Sequence, residues 1–171
     1  INKLISKKPK IKFRFDVNKR FSLQESYSFF NKINKENIDY VEDPCEETYL
    51  KEFYVKTGIN YALDCPNQKP NNQLSYLGLS ALIIKPTIIG TINNIIELKN
   101  SYKINRLILS SSYESKVGLN GLVTYAQNLE PTEHHGINTE YFFEYNDTPS
   151  LINKFQPSSK KALKNWVLNQ C

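Results

Sequence analysis

Apolar and polar positions in this chain switch repeatedly between two periods. Residues 11–16 (IKFRFD) alternate with a period of two and read as a strand, closed by the turn Asn18-Lys19-Arg20-Phe21. Ser22-Leu23-Gln24-Glu25 has the form of a capping box, and Leu23, Tyr27, Phe30 and Ile33 continue it at helical spacing. Residues 39–42 read as a strand ended by Pro44, and residues 46–56 as a helix with Phe53 inward and Gly58 as its stop. The same alternation gives strands at 59–64, 81–84 and 106–109 and helices at 91–102 and 117–129. A short helix is predicted at 73–77, a last strand at 132–137 and a tail helix at 158–168. Strands separated by helices make parallel βαβ units, not a meander.

Composition narrows the class. With 171 residues, 40% hydrophobic and 12% aromatic, the chain is too apolar for disorder and long enough to bury a core. The richest apolar stretch, 77–96, is interrupted by Lys85, Asn93 and Asn94, so no membrane partner is expected. No secretory leader opens the chain, and the absence of Met throughout makes Ile1 an unexpected native start. The net charge of +5 carries little function. Of 22 basic residues 19 are Lys, and with 20 Asn and 17 Ile they reflect the codon bias of an AT-rich genome. Three Arg are few for a reader of bases and phosphates, so no nucleic-acid partner is expected. Lys7, Lys8, Lys10 and Lys12, and Lys160, Lys161 and Lys164, read as solvated faces. Cys45, Cys65 and Cys171 form no C-x-x-C pair and leave one over, which suits a reducing, cytoplasmic setting.

Candidate chemistry sits at the strand ends. Asp16, Glu42, Asp64 and Lys85 close four successive predicted strands, 26, 22 and 21 residues apart, about one βα unit each. In a parallel barrel such ends converge on one mouth. Three carboxylates there repel one another unless a cation neutralises them, and their hard oxygens suit Mg²⁺ or Mn²⁺. A neighbouring Lys is an acid/base or a fixed positive charge. Taken singly, each carboxylate reads equally as a solvated strand end or a helix cap.

The local motifs carry a resemblance. Arg14-Phe15-Asp16-Val17-Asn18 is similar to the R-x-D-x-N motif of the third barrel strand in the enolase superfamily, and Val41-Glu42-Asp43-Pro44 to its [IV]-E-[EQD]-P. Ala62-Leu63-Asp64 resembles its fifth strand end. The segment from Lys85-Pro86-Thr87 to Gly90 resembles the K-P-[ST]-x-x-G of o-succinylbenzoate synthases. Ser110-Ser111 through Glu114-Ser115 to Gly118-Leu119 resembles their S-S-x-x-E-S-x-x-G-L, and His135-Gly136 their H-G-L-D-T. The resemblance implies a parallel (β/α) barrel of which the chain carries about strands 3 to 8. The first barrel strands and the N-terminal capping domain would be missing. It implies Asp16, Glu42 and Asp64 as ligands of one Mg²⁺ (or Mn²⁺), and Lys85 as the lysine facing the substrate. Arg14 would support the site on the substrate side, and Ser110, Ser111 and the Gly136 backbone would lie near a succinyl carboxylate. The implied reaction is syn-dehydration of a cyclohexadiene carboxylate to o-succinylbenzoate, in menaquinone biosynthesis.

Two departures temper that picture. Cys65 follows Asp64 where relatives commonly have Glu. Lys10-Ile11-Lys12 matches the family's base-bearing K-x-K, but it shares a strand with Asp16 and cannot be the preceding one. The general-base Lys is therefore expected outside this chain. The chain alone should be inactive, its barrel completed by a missing N-terminal part, a second chain or a homodimer. His134-His135 read as a loop or strand-end pair near the barrel mouth, and Trp166 as a packing anchor. Residues 1–143 are expected to form the partial barrel and 144–171 a separate tail. The alternatives are an N-acylamino-acid racemase or dipeptide epimerase of the same superfamily, and a non-catalytic α/β binding domain.

Overall fold

The computed structural model describes residues 2–66 and 69–137. The tail expected at 144–171, its helix at 158–168 and Cys171 lie outside these residues. The element order is α1 (Asn2–Lys7), β1 (Phe13–Asp16), α2 (Leu23–Phe30), β2 (Ile38–Glu42), α3 (Leu50–Thr57), β3 (Tyr61–Asp64), β4 (Leu79–Ile84), α4 (Pro86–Ile89), α5 (Ile92–Ser101), β5 (Leu107–Leu109) and α6 (Lys116–Leu129). The five strands pair in chain order, each parallel to the next, and curve into half of a barrel. A single parallel bridge, Ser110 with Gly136, marks a sixth position.

Local chemistry explains most boundaries. Ser22 and Glu25 make the reciprocal capping box that starts α2. Gly58 ends α3 with φ of 66°, a left-handed turn that glycine adopts without steric cost. Where helix was predicted at 73–77, the chain makes two turns instead. There the Asn71 side chain accepts the Gln73 N–H at 2.9 Å, and the Tyr76 hydroxyl reaches Glu47 at 2.5 Å, so side-chain anchors outcompete helical bonds. The strand predicted at 132–137 shrinks to its one bridge. The Leu109 N–H finds the His135 ring nitrogen Nδ1 at 3.1 Å, a side chain standing where a neighbouring strand's carbonyl would.

Strand alternation sorts the interior into two layers. Val41, Tyr61, Leu63, Leu82, Ile84 and Leu107 face the helices and pack with Phe30, Phe53, Leu50 and Ile95. Burying each such side chain stabilises the fold by about 1.5–3 kcal/mol. The other face holds a smaller cluster of Tyr40, Ala62, Ala81, Ile83 and Ile108.

At the end where the strands begin, that inner face is closed by charge. Arg106 contacts Asp39 at 2.8 Å and Glu133 at 2.7 Å, and Arg14 reaches Asp39 at 2.8 Å, Glu133 at 3.1 Å and the His134 carbonyl at 2.5 Å. Both guanidinium groups lie over the Tyr40 ring, 5.1 and 5.4 Å from its centre. The cluster thus ties β1, β2 and the start of β5 to the segment after α6. Burial works against the Asp39 carboxylate, but Arg106 and Arg14 hold it below its usual range, and Arg106 does the same for Glu133.

A carboxylate with a depressed folded pKa stabilises above its unfolded pKa and loses that contribution as pH falls through the folded one. Arg106→Met is therefore expected to cost about 2 kcal/mol at pH 7. The deficit relative to the parent should shrink below pH 4, as read by urea unfolding at each pH. An equal deficit at pH 7 and pH 3 would contradict this account of the cluster.

Candidate active site

The parallel register that builds the sheet also aligns its ends. Asp16 is the last residue of β1 and pairs with Glu42, the last of β2, while Glu42 in turn registers with Ala62 of β3. Asp64 ends β3, and Lys85 follows β4 as the residue that caps α4. All four share the inward parity of Ala62 and Ile83, so they meet on the barrel side of the strand ends.

Their electrostatics are strained. Burial pushes the Glu42 carboxyl up to about 8, and the neighbouring charges of Asp16, Asp64 and Asp43 push in the same direction against Lys85. Lys85 donates to Asp64 Oδ2 at 2.5 Å. Burial pulls the lysine's pKa down, but the bond and charge of Asp64 outweigh it and the ammonium is held more firmly than usual. The other Asp64 oxygen, Oδ1, is buried with no hydrogen-bond partner among the described residues. Such an orphaned oxygen beside a carboxylate starved of positive charge suits a hard cation, and the all-oxygen donor set is the one Mg²⁺ and Mn²⁺ prefer. Among the described residues, no three His, Cys, Asp or Glu side chains are already gathered around a common metal position.

Asp43, which sequence reasoning passed over, links the ends of β2 and β3. Its carboxylate accepts the Asp64 N–H at 3.3 Å and lies 3.8 Å from Lys19, although burial raises its pKa to about 6. Its place directly after Glu42 was the available signal. The Asn18 backbone N–H donates to Asp16 Oδ1 at 3.0 Å. A cavity of about 290 Å³ opens beside Asp64, bordered by Lys19, Asp43, Glu47, Cys65 and Lys69.

The remaining candidates are placed as follows. Arg14 belongs to the charge cluster at the opposite end, where Lys10 and Lys12 line a larger cleft of about 860 Å³. Ser110 and Ser111 leave the end of β5 at the mouth. The Gly136 N–H donates to the Leu109 carbonyl at 2.8 Å, and its carbonyl accepts from Ser111 N–H at 3.0 Å, so both its backbone groups serve the bridge. His135 accepts from Leu109 and contacts the Glu130 carbonyl at 3.0 Å, a frame role for that ring. Cys45 is buried and Cys65 half-buried as free thiols, each pushed up by burial and so poorly nucleophilic.

Comparison with known proteins bears on the family and the fold. No family model matches the chain. It is 35% identical over 144 residues to an o-succinylbenzoate synthase of Haemophilus influenzae, covering 80% of this chain and 44% of that protein. An o-succinylbenzoate synthase of Proteus mirabilis is 31% identical over 149 residues, 81% of this chain and 45% of its own. The chain is a relative of the o-succinylbenzoate synthases. It spans under half the length of those two proteins. Its fold is that of the enolase superfamily. The MenC structure from Desulfotalea psychrophila superposes with a TM-score of 0.68 at 20% identity, over 86% of this chain and 44% of that one. A dipeptide epimerase from Cytophaga hutchinsonii, complexed with Mg and a dipeptide, gives 0.64 at 18%, over 79% and 39%.

A carboxyl with a raised folded pKa stabilises while protonated and loses that contribution as pH rises through the folded value. Without added metal, the parent should lose stability between pH 5 and 8, and Glu42→Gln should remove most of that slope. At pH 8 the variant is expected to be more stable by on the order of 1–3 kcal/mol. Parallel pH profiles for parent and variant would show that Glu42 is not the strained group.

Proposed function

We propose that this chain carries the metal-ligand and lysine side of an o-succinylbenzoate synthase active site, in a Mg²⁺-dependent lyase of cytoplasmic menaquinone biosynthesis. The observation that carries the reading is the convergence of Asp16, Glu42, Asp64 and Lys85 at the ends of four adjacent parallel strands. The synthase relatives, matched over four-fifths of the chain, favour dehydration over the racemase or epimerase branch. The epimerase likeness extends to fold alone.

Asp16, Glu42 and Asp64 would hold the ion. When bound, it supplies positive charge beside the substrate carboxylate, which lowers the cost of removing the adjacent proton. Lys85 faces the same position and keeps a fixed positive charge where negative charge develops. Its bond to Asp64 keeps the ammonium protonated and aimed. Loss of the proton and of the ring hydroxyl together releases one water, and the ring becomes aromatic. The resemblance implies a second lysine as proton acceptor, supplied from outside this chain; the K-x-K of this chain, Lys10 and Lys12, stands at the other end of the strands. A preceding segment of the same protein or a partner chain would bring it and complete the barrel. The isolated chain is accordingly expected to form no product.

Mn²⁺ titration followed by electron paramagnetic resonance tests the metal site directly. The chain should bind one ion, more tightly at pH 8 than at pH 6 because Glu42 must lose its proton. Asp16→Ala, Glu42→Ala and Asp64→Ala should each weaken binding at least about tenfold. No saturable binding by the parent would return the chain to a non-catalytic α/β domain. On the full-length protein, o-succinylbenzoate formation supports the synthase assignment, whereas dipeptide epimerisation without it moves the assignment to the other branch.

A further inference from the structure

Glu114 stands between β5 and α6. The cap of α6 is Ser115, whose side chain accepts the Gly118 N–H, so Glu114 lies outside the helix. Its two carboxylate oxygens are divided between two loops. Oε1 accepts from the Thr87 hydroxyl at 2.6 Å, and Oε2 accepts from the Ser112 N–H at 2.7 Å. Thr87 stands two residues after Lys85, in the single turn of α4, and Ser112 two residues after Ser110. Tyr113, with φ of 64°, turns the chain so that Glu114 can reach back to Ser112.

A separate observation points the same way. A Cβ on Gly118 would lie 2.7 Å from Glu114 Cβ and 3.2 Å from its Cγ. Glycine in the first turn of α6 is therefore what leaves room for the Glu114 side chain. The sheet bond between β4 and β5 ends where Ser110 N–H meets the Ile84 carbonyl at 2.8 Å. Beyond that point Glu114 supplies the next link between the two strands' loops.

We propose that Glu114 is a positioning residue that clamps the Lys85 loop to the Ser110–Ser112 loop, setting where the lysine sits across the mouth. This deepens the reading of the mouth as an active site and rests on it. Thr87, Glu114 and Gly118 then form one physical unit: a hydroxyl donor, a two-way acceptor and the space it needs.

Trace acetylation of the intact chain, read by mass spectrometry, tests the clamp without substrate or metal. Lys99, paired with Glu130 at 2.8 Å, serves as the internal reference. Thr87→Val removes the donor at constant size, and Gly118→Ala displaces Glu114 without removing any hydrogen-bonding group. In both, the labelling of Lys85 relative to Lys99 should rise about tenfold, the scale of one charge-assisted hydrogen bond. Thr87→Ser should stay at the parent value. Gly118→Ala should also lower the melting temperature, although Gly→Ala inside a helix ordinarily raises it. A relative rise missing from either Thr87→Val or Gly118→Ala overturns the proposal, as does a parallel rise of Lys85 and Lys99. Failure of Mn²⁺ binding in the unmodified chain would instead count against the functional reading, with the labelling result standing on its own.

Discussion

Like charges held side by side at the ends of parallel strands are the constraint around which this fold is arranged. Parallel pairing with aligned ends puts Asp16 opposite Glu42 and brings Asp64 alongside, and no side-chain rotation fully separates groups set by backbone register. Burial of Glu42, reinforced by the charges of Asp16 and Asp64, lifts its pKa to about 8, a state that costs folding free energy at neutral pH. The cost is tolerable because the other face of the same strands is continuous core. Phe30, Phe53, Tyr61, Leu82 and Ile84 are each essentially fully buried there. Strand alternation is what permits both at once, sending every second residue to the helices and the remainder to the mouth.

The two ends of the half-barrel follow opposite electrostatic rules. Where the strands begin, Arg14 and Arg106 meet Asp39 and Glu133, and each of these four charges has a partner. The cleft there is larger and also bordered by Lys10 and Lys12, yet its two carboxylates are already spent on the arginines. At the mouth, Asp16, Glu42, Asp43 and Asp64 outnumber Lys85 and Lys19, and one Asp64 oxygen is left without a donor. An incoming cation gains at the mouth what it could not gain at the other end. Size of opening and chemical readiness thus point to different places, and the unbalanced charge is the better guide to function.

Most of the fold was legible because the barrel repeats one unit. The first three strands each end in a carboxylate and β4 runs into Lys85, while α2, α5 and α6 show their caps in Ser22, Thr91 and Ser115. The three carboxylates and Lys85 were visible by the same logic, since spacing of one βα unit converts a linear pattern into a shared mouth. Arg14 shows the limit of that reasoning. It lies two residues before Asp16 on the same face, but inward parity does not say which end of the barrel a long side chain will reach, and Asp39 and Glu133 decide that. The turn at 73–77 and the lone bridge at Gly136 were hidden for a related reason. Both depend on contacts far apart in sequence, Tyr76 to Glu47 and Leu109 to His135, that no local pattern encodes.

Residues with left-handed backbone follow the first three strands in turn: Asn18 and Lys19 after Asp16, Asp43 after Glu42, and Cys65 after Asp64. Non-glycine residues there cost roughly 1–2 kcal/mol each, and glycine would relieve that strain. What glycine could not provide is the cross-strand linkage that the Lys19 and Asp43 side chains make. Lys19 approaches Asp43, and Asp43 accepts from the backbone of Asp64, so the ends of β1, β2 and β3 are coupled through the strained positions themselves. The Cys65 N–H extends the chain of contacts to the Ile83 carbonyl on β4. Strain concentrated at one rim and connected from strand to strand is what a site needs when it must hold repelling groups at fixed separation. The turns are poor as turns because they serve as the frame.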